Sequence, residues 1–281
     1  MTNGGNTKGR LPGQKAAFVS PGRDSCGGWP ATTRAASSPL LRHSRPELFV
    51  DVFGGSGAFT LAALEQGWPT VYNDVHPGLV QYMRIMQTSH HDEVLDLALK
   101  LDKLLDPEGL LWLDQRLPLA RPVLQAALFL LVAHNVEGRN MRARKVTHLL
   151  PMRTATYQQL RQKAERFREA AVCGDDFADI IRQYDSPNTF FFVDPPWFGS
   201  DGLYEYTIAG RYEELSTLLL NCRGRYAWTQ SSTREGLTFA KDHAHLNWWI
   251  ARQQGVTFRQ LLATNFELLH PDPINPAEFG L

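Results

Sequence analysis

The sequence predicts an α/β fold, a largely parallel sheet interrupted by a helical insertion. Two observations carry that prediction. First, Glu47-Leu48-Phe49-Val50-Asp51-Val52-Phe53, Gly54-Gly55-Ser56-Gly57, Ala58-Phe59-Thr60-Leu61-Ala62-Ala63-Leu64 and Thr70-Val71-Tyr72-Asn73-Asp74 read in turn as strand, glycine turn, helix and strand. Such a βαβ unit implies parallel strands with helices on the sheet faces. Second, the same kind of signal returns far along the chain at Thr189-Phe190-Phe191-Phe192-Val193, after a long stretch that reads mostly as helix.

The first strand is a short apolar run bounded by glycine, as a buried parallel strand is. Gly67-Trp68-Pro69 ends the helix that follows it. From Pro77 to about Ala171 the chain is mainly helical in pattern. Leu95, Ala98, Leu99, Leu101, Leu104 and Leu105 recur at helical spacing. Residues 123–136 are so apolar that they read as a buried helix, and residues 154–171 as an amphipathic one. Later come a helix over 212–221, a strand over 225–230, and a candidate antiparallel pair over 248–250 and 257–266. The expected organisation is an irregular segment over 1–45, a core domain over 46–90 and 170–281, and a helical insertion over 91–169.

Lysine plus arginine equals aspartate plus glutamate, so the 281-residue chain is formally neutral. Any binding of a polyanion must therefore rest on local clusters of positive charge, not on the chain as a whole. Cys26, Cys173 and Cys222 are scattered and form no C-x-x-C pair, which argues against a disulfide framework or zinc site. No apolar run is long enough to span a bilayer, and the first residues contain no apolar signal core. A cytoplasmic, monomeric protein with no membrane partner is expected.

Phe53-Gly54-Gly55-Ser56-Gly57 sits at the carboxyl end of the first strand, the edge where open α/β sheets bind cofactors. Glycines there permit a tight turn and close approach of a ligand. Asp74, ending the second strand, can accept hydrogen bonds from both hydroxyls of a ribose. The alternative is structural: a plain strand-to-helix turn, with Asp74 capping the helix ahead of Pro77. The dinucleotide fingerprint wants a third small residue and a helix N-terminus open to pyrophosphate, but Phe59 fills the first turn. S-adenosylmethionine carries no phosphate and fits the turn better. Asp51 is a candidate partner for its ammonium group, or equally a structural carboxylate.

Phe190-Phe191-Phe192-Val193-Asp194-Pro195-Pro196-Trp197 is more specific. Two prolines after an acid stiffen the chain as it leaves a strand and remove two donors. The result fixes a carboxylate and a carbonyl in one direction beside an aromatic ring. An adenine N6 amino group is a poor nucleophile because its lone pair is delocalised into the ring. Hydrogen bonds from its two N–H groups to Asp194 and the Pro195 carbonyl favour pyramidal nitrogen and free that lone pair, with Trp197 stacked on the base. A base inside a duplex must first be flipped out. The bland alternative is a rigid turn with an exposed acid.

With these motifs in order, the chain resembles the Dam-type DNA adenine-N6 methyltransferases. The resemblance rests on residues 50–59, Tyr72-Asn73-Asp74, Gly174-Asp175-Asp176-Phe177 and residues 190–197, and covers most of the chain from about Pro46. It implies a Rossmann-like class I methyltransferase fold, S-adenosylmethionine as donor and double-stranded DNA as acceptor. It implies Asp194, Pro195, Pro196 and Trp197 as catalytic, and Asp51, Phe53, Gly54, Gly55, Gly57 and Asp74 as cofactor-binding. It also places Asp176 and Phe177 against the cofactor's adenine; without it they read as a capping acid and a core phenylalanine. The family's N-terminal P-G-G-K-like segment has only Pro12-Gly13-Gln14-Lys15 and Ser20-Pro21-Gly22-Arg23 as approximations here.

Residues 138–153 carry Arg139, Arg142, Arg144, Lys145 and Arg153 with no acid among them. They lie in the insertion, where the family places target recognition, and can neutralise phosphates or read a guanine edge. A solvated polar loop is the competing reading. Relatives acting on RNA adenine or protein glutamine typically carry Asn before Pro-Pro, and Asp194 argues against them. A catalytically silent DNA-binding remnant is a further alternative, and an NAD oxidoreductase, opposed by the missing third glycine and by Asp194-Pro195-Pro196-Trp197, is the third. Orphan methylation and restriction-modification share one signature at this level.

Overall fold

The computed structural model describes residues 45–116, 121–136, 146–252, 259–267 and 272–273. The N-terminal segment with Cys26, and the basic residues Arg139, Arg142, Arg144 and Lys145, lie outside the described residues. The leading βαβ unit forms as the pattern predicts: β1 (Leu48–Asp51), α1 (Ala58–Glu65) and β2 (Thr70–Asn73). The helical stretch resolves into α2 (Pro77–Met86), α3 (His91–Leu104), α4 (Pro107–Arg116), α5 (Pro122–Asn135) and α6 (Thr154–Phe167). Pro77, Pro107 and Pro122 each open a helix, where a missing N–H costs nothing. Next come β3 (Ala171–Cys173), α7 (Phe177–Tyr184), β4 (Thr189–Val193), α8 (Tyr212–Asn221), β5 (Arg225–Ser231), α9 (Arg234–Asp242), β6 (Asn247–Arg252), β7 (Arg259–Thr264) and β8 (Asp272–Pro273).

The sheet order is β3-β2-β1-β4-β5-β7-β6-β8. The first five strands in that order run parallel, and β7 enters antiparallel between β5 and β6. The strand order switches from one side of the sheet to the other between the parallel neighbours β1 and β4, which creates the crevice at the carboxyl edge where ligands bind in such sheets. One expectation is corrected: helix does not continue to Ala171. It stops at Phe167, and Ala171–Cys173 pairs with β2 in parallel. Three residues are too few to show a periodicity, so the pairing with β2 decides their structure.

Alternation along the strands sorts the core. Val50, Val71, Phe191, Val193, Tyr226 and Trp228 pack on the face covered by α7, α8 and α9. Phe49, Phe190, Phe192 and Ala227 pack on the other face with Phe59, Ala62 and Ala63 of α1. Phe59 stacks on Phe192 with ring centroids 3.7 Å apart. Helices α2 to α6 share a separate apolar cluster that takes in Leu95, Leu128, Leu131 and Phe167. Among the described residues, no helix is long and apolar enough to cross a membrane.

Candidate active site

Strand register brings three acids together. Asp51 pairs with Tyr72 on one side and with Phe192 on the other. Asp74 and Asp194 each lie two residues beyond those partners. A two-residue step returns a side chain to the same face of a sheet, so all three acids project on the α1 side at the carboxyl edge.

Asp51 is buried, 1% exposed, and its Oδ2 accepts hydrogen bonds from the Thr60 backbone N–H at 3.1 Å and the Thr60 hydroxyl at 2.7 Å. Burial raises its carboxyl to about 7; the Thr60 bonds pull it down, and the charges of Asp194 and Asp74 push it up. Asp74 accepts from the Gly55 N–H at 3.0 Å and the His76 N–H at 2.8 Å, and desolvation also raises it. The charges of Asp74 and Asp194 both bear on the buried Asp51, an arrangement that a nearby cation would relieve. Among the described residues, no group of His, Cys, Asp and Glu is arranged to hold a metal ion.

The glycine turn is shaped by its neighbours. Gly55 and Gly57 have φ of 48° and 71°, left-handed conformations that side chains other than glycine rarely adopt. At Gly54 the constraint is space, because a Cβ there would run into the Tyr72 ring. Tyr72 in turn donates from its hydroxyl to the Gly55 carbonyl at 2.9 Å. Asn73, inside the Tyr72-Asn73-Asp74 motif, ties the strand ends together. Its amide donates to the Val52 and Asp175 carbonyls, both at 3.0 Å, and its oxygen accepts from the Asp175 N–H at 2.9 Å.

Asp194 receives hydrogen bonds from the Trp197 indole at 3.2 Å and from the Thr229 hydroxyl, both on Oδ1. Its Oδ2 is the oxygen left for a ligand. Desolvation raises the Asp194 carboxyl, and these two donors lower it again. Tyr212 donates to the Pro196 carbonyl at 2.7 Å, which ties the turn to the start of α8. Gln230 fixes the residue after the turn, its Oε1 accepting from the Phe198 N–H at 3.0 Å.

Asp176 and Phe177 take structural tasks. Asp176 caps α7 by accepting from the Ala178 N–H at 3.0 Å, and holds Arg211 through bonds of 2.6 and 3.0 Å. That guanidinium holds the Asp176 carboxyl below its ordinary value. Phe177 is buried, stacked on Phe53 with centroids 5.7 Å apart and covered by Arg211 at 4.4 Å. A cavity of about 690 Å³ opens beside this edge, lined in part by Val75, His76, Gly174, Asp175, Glu205 and Tyr206.

Sequence reasoning missed Thr229, Gln230, Tyr212 and Asn73. A signal existed for the first two: the polar run Thr229-Gln230-Ser231 follows the apolar Tyr226-Ala227-Trp228 within one strand, and all three polar residues are buried. Buried polar side chains need partners, and the partners here are Asp194 and the Phe198 N–H of the turn after β4. Replacing Thr229 by valine removes one donor from Asp194 at nearly constant volume. The Asp194 carboxyl then moves up, so the acid limb of the activity profile moves to higher pH. Loss of a hydrogen bond to a charged group corresponds to roughly tenfold in kcat/KM at neutral pH. A pH profile identical to the unaltered protein's counts against this positioning role.

No curated protein matches the chain. Residues 40–234 match the family model of the D12 class N6 adenine-specific DNA methyltransferases, and that span holds the glycine turn, all three acids, Thr229 and Gln230. The sheet with its antiparallel β7 agrees with the class I methyltransferase fold of such enzymes. The chain therefore belongs to the D12 class N6 adenine-specific DNA methyltransferases, enzymes that methylate adenine in DNA with S-adenosylmethionine as donor.

Proposed function

We propose that this protein methylates adenine N6 at specific sites in duplex DNA, after the target base has rotated out of the helix into the Asp194 pocket. The observation that carries the reading is the one-sided hydrogen bonding of Asp194, with Oδ1 held by Thr229 and Trp197 and Oδ2 left over. A fixed carboxylate oxygen beside the Pro195 carbonyl matches the two N–H groups of an adenine amino group. S-adenosylmethionine, when bound, supplies an electrophilic methyl group on a sulfonium centre.

The chain's own residues do the rest. Asp51 faces the ammonium of the methionyl part, and Asp74 the ribose hydroxyls. Gly54, Gly55 and Gly57 keep side chains out of the turn between them, with Phe53 beside it. The cavity next to His76 and Asp175 takes the adenosine end, near Asp176 and Phe177. Asp194 accepts from one N6 hydrogen and Pro195 from the other, and Asp194 opposes the positive charge that builds on the nitrogen. Trp197 lies against the base, while Pro196 stiffens the turn. The assay is transfer of label from S-adenosylmethionine to plasmid DNA, scored as N6-methyladenine. A protein that binds DNA but transfers nothing contradicts this reading and favours a silent DNA-binding role.

The helical unit over 91–169 is assigned to target recognition, with Arg139, Arg142, Arg144 and Lys145 as its DNA contacts. What supports this is their density of positive charge in a neutral chain. Replacing Arg142 and Arg144 together by alanine is expected to weaken DNA binding and to reduce the slope of log affinity against log salt by about two. An unchanged slope removes both residues from the phosphate interface.

A further inference from the structure

The glycine turn is framed by β2 on one side and by the helical insertion on the other. Three glycines within residues 54–57 give that backbone wide conformational freedom. A turn that orders only when its ligand arrives loses part of the binding energy to its own ordering. Here the end of β2 supplies the order. The Gly54 N–H donates to the Asn73 carbonyl at 2.6 Å, the Gly55 N–H to Asp74 at 3.0 Å, and the Gly55 carbonyl accepts from the Tyr72 hydroxyl at 2.9 Å. Tyr72, Asn73 and Asp74 thus each hold one group of the turn. Burial pushes the Tyr72 hydroxyl well above its ordinary pKa, so it stays protonated and stays a donor.

The insertion supplies the backing. Phe167 is the last residue of α6 and is buried. Its ring lies edge-on to Tyr72 with centroids 5.3 Å apart, and a Cβ at Gly57 would lie 2.8 Å from it. Phe167 therefore fills the space that a side chain at Gly57 would take, and supports the ring whose hydroxyl holds Gly55. This end of α6 is itself tied down. Gln87, just beyond α2, donates from its side-chain amide to the Phe167 carbonyl at 2.9 Å and to the Ala170 carbonyl at 2.6 Å. Arg166 pairs with Glu65, the last residue of α1, and α1 starts directly after Gly57.

We propose that Tyr72 and Phe167 are positioning residues for S-adenosylmethionine: Phe167 of the insertion backs Tyr72, and Tyr72 holds the Gly55 carbonyl so that the turn is set before the cofactor arrives. The inference rests on the reading of this turn as the cofactor site. It gives the insertion a task besides recognising DNA, because its last helix completes the frame of that site. Both residues act through the turn, so their loss weakens cofactor binding and leaves the chemical step alone.

The test measures the affinity for S-adenosylmethionine by calorimetry without DNA, beside steady-state kinetics on plasmid DNA. Tyr72→Phe removes one hydroxyl and is expected to weaken binding about fivefold. Phe167→Leu removes the ring and is expected to weaken it about tenfold. In both variants KM for S-adenosylmethionine rises by the same factor, while kcat and KM for DNA stay within about twofold. Leu131→Ala is the control for lost stability. Leu131 belongs to the same apolar cluster as Phe167 but sits on α5, which packs on α2, α3 and α4. That variant is expected to bind S-adenosylmethionine within about twofold of the unaltered protein. An equal loss in Leu131→Ala, an unchanged affinity in Tyr72→Phe, or a fall in kcat without a rise in KM overturns the positioning role. If Phe167→Leu fails to fold, Tyr72→Phe, which keeps the ring and its packing, decides alone. An unaltered protein that does not bind S-adenosylmethionine overturns the cofactor reading of the turn and this inference with it. One that binds it but transfers nothing to DNA contradicts only the methylation reading, and the affinities still decide the role of Tyr72 and Phe167.

Discussion

Replacing Asp194 by alanine is expected to lower methyl transfer by about a thousandfold while leaving DNA and S-adenosylmethionine binding within a fewfold of the unaltered protein. The magnitude is that of removing a preorganised group aimed at charge developing in a transition state. The separation of effects follows from geometry. Asp194 Oδ1 is engaged by Thr229 and Trp197, so the residue's local task is modest, while its Oδ2 faces no other hydrogen bond. Truncation orphans the Thr229 hydroxyl, which costs on the order of 1–3 kcal/mol. It also removes a carboxylate whose ionised form is disfavoured by desolvation, an effect of opposite sign. The two terms oppose, so the thermal midpoint is expected to move by only a few degrees, about 2–4 °C per kcal/mol of net change. Initial rates of N6-methyladenine formation, beside DNA affinity and melting curves, check this. Undiminished transfer by the variant moves the chemistry away from residues 194–197.

The second large effect concerns Asp51 and pH. Its carboxyl is raised from 3.8 to about 7 in the folded chain. Between those values the folded protein holds a proton that the unfolded chain has released. Stability then falls as pH rises through that window and levels off above about 7. Asp51→Asn removes the titration and keeps an oxygen to accept from Thr60. The variant is expected to melt higher than the unaltered protein at pH 8 and nearly alike at pH 4. The gap at pH 8 has an upper bound of about 4 kcal/mol from this group. Function changes in the opposite direction. A cation beside Asp51 favours the ionised acid, so the melting temperature gained on adding S-adenosylmethionine should be smaller in Asp51→Asn. Equal gains would mean that Asp51 serves only to anchor Thr60. Proton release on ligand binding, measured by calorimetry in two buffers of different ionisation enthalpy, reports the same coupling.

These two acids show what was legible in the sequence. Asp194 was visible because it stands in a short local motif, an acid followed by two prolines and an aromatic residue, and backbone stiffness is a local property. The glycine turn and Asp74 were visible for the same reason, each being fixed by its position at the end of an apolar run. The long helices were legible from periodicity. β3 was not, because three residues carry no period and only pairing with β2 makes them a strand. Asp176 and Phe177 show a different limit. The sequence left them open between a ligand contact and a capping acid with a core phenylalanine; the cap on Ala178 is local, while the partners Arg211 and Phe53, distant in the chain, come only from the tertiary structure.

By itself the sequence determined the α/β class, the order of the motifs and the chemical character of the Asp194 turn. Only the tertiary structure decided which groups meet. Thr229 reaches Asp194 because β5 pairs with β4 in the register Val193 to Trp228, which sets Thr229 beside the acid. Asp51, Asp74 and Asp194 share one face because Asp51 pairs with Tyr72 and with Phe192, each two residues before another acid. The physical reason is the two-residue repeat of a strand: a slip of one residue would send a side chain to the opposite face. Register belongs to the paired strands together, and no single strand's sequence contains it.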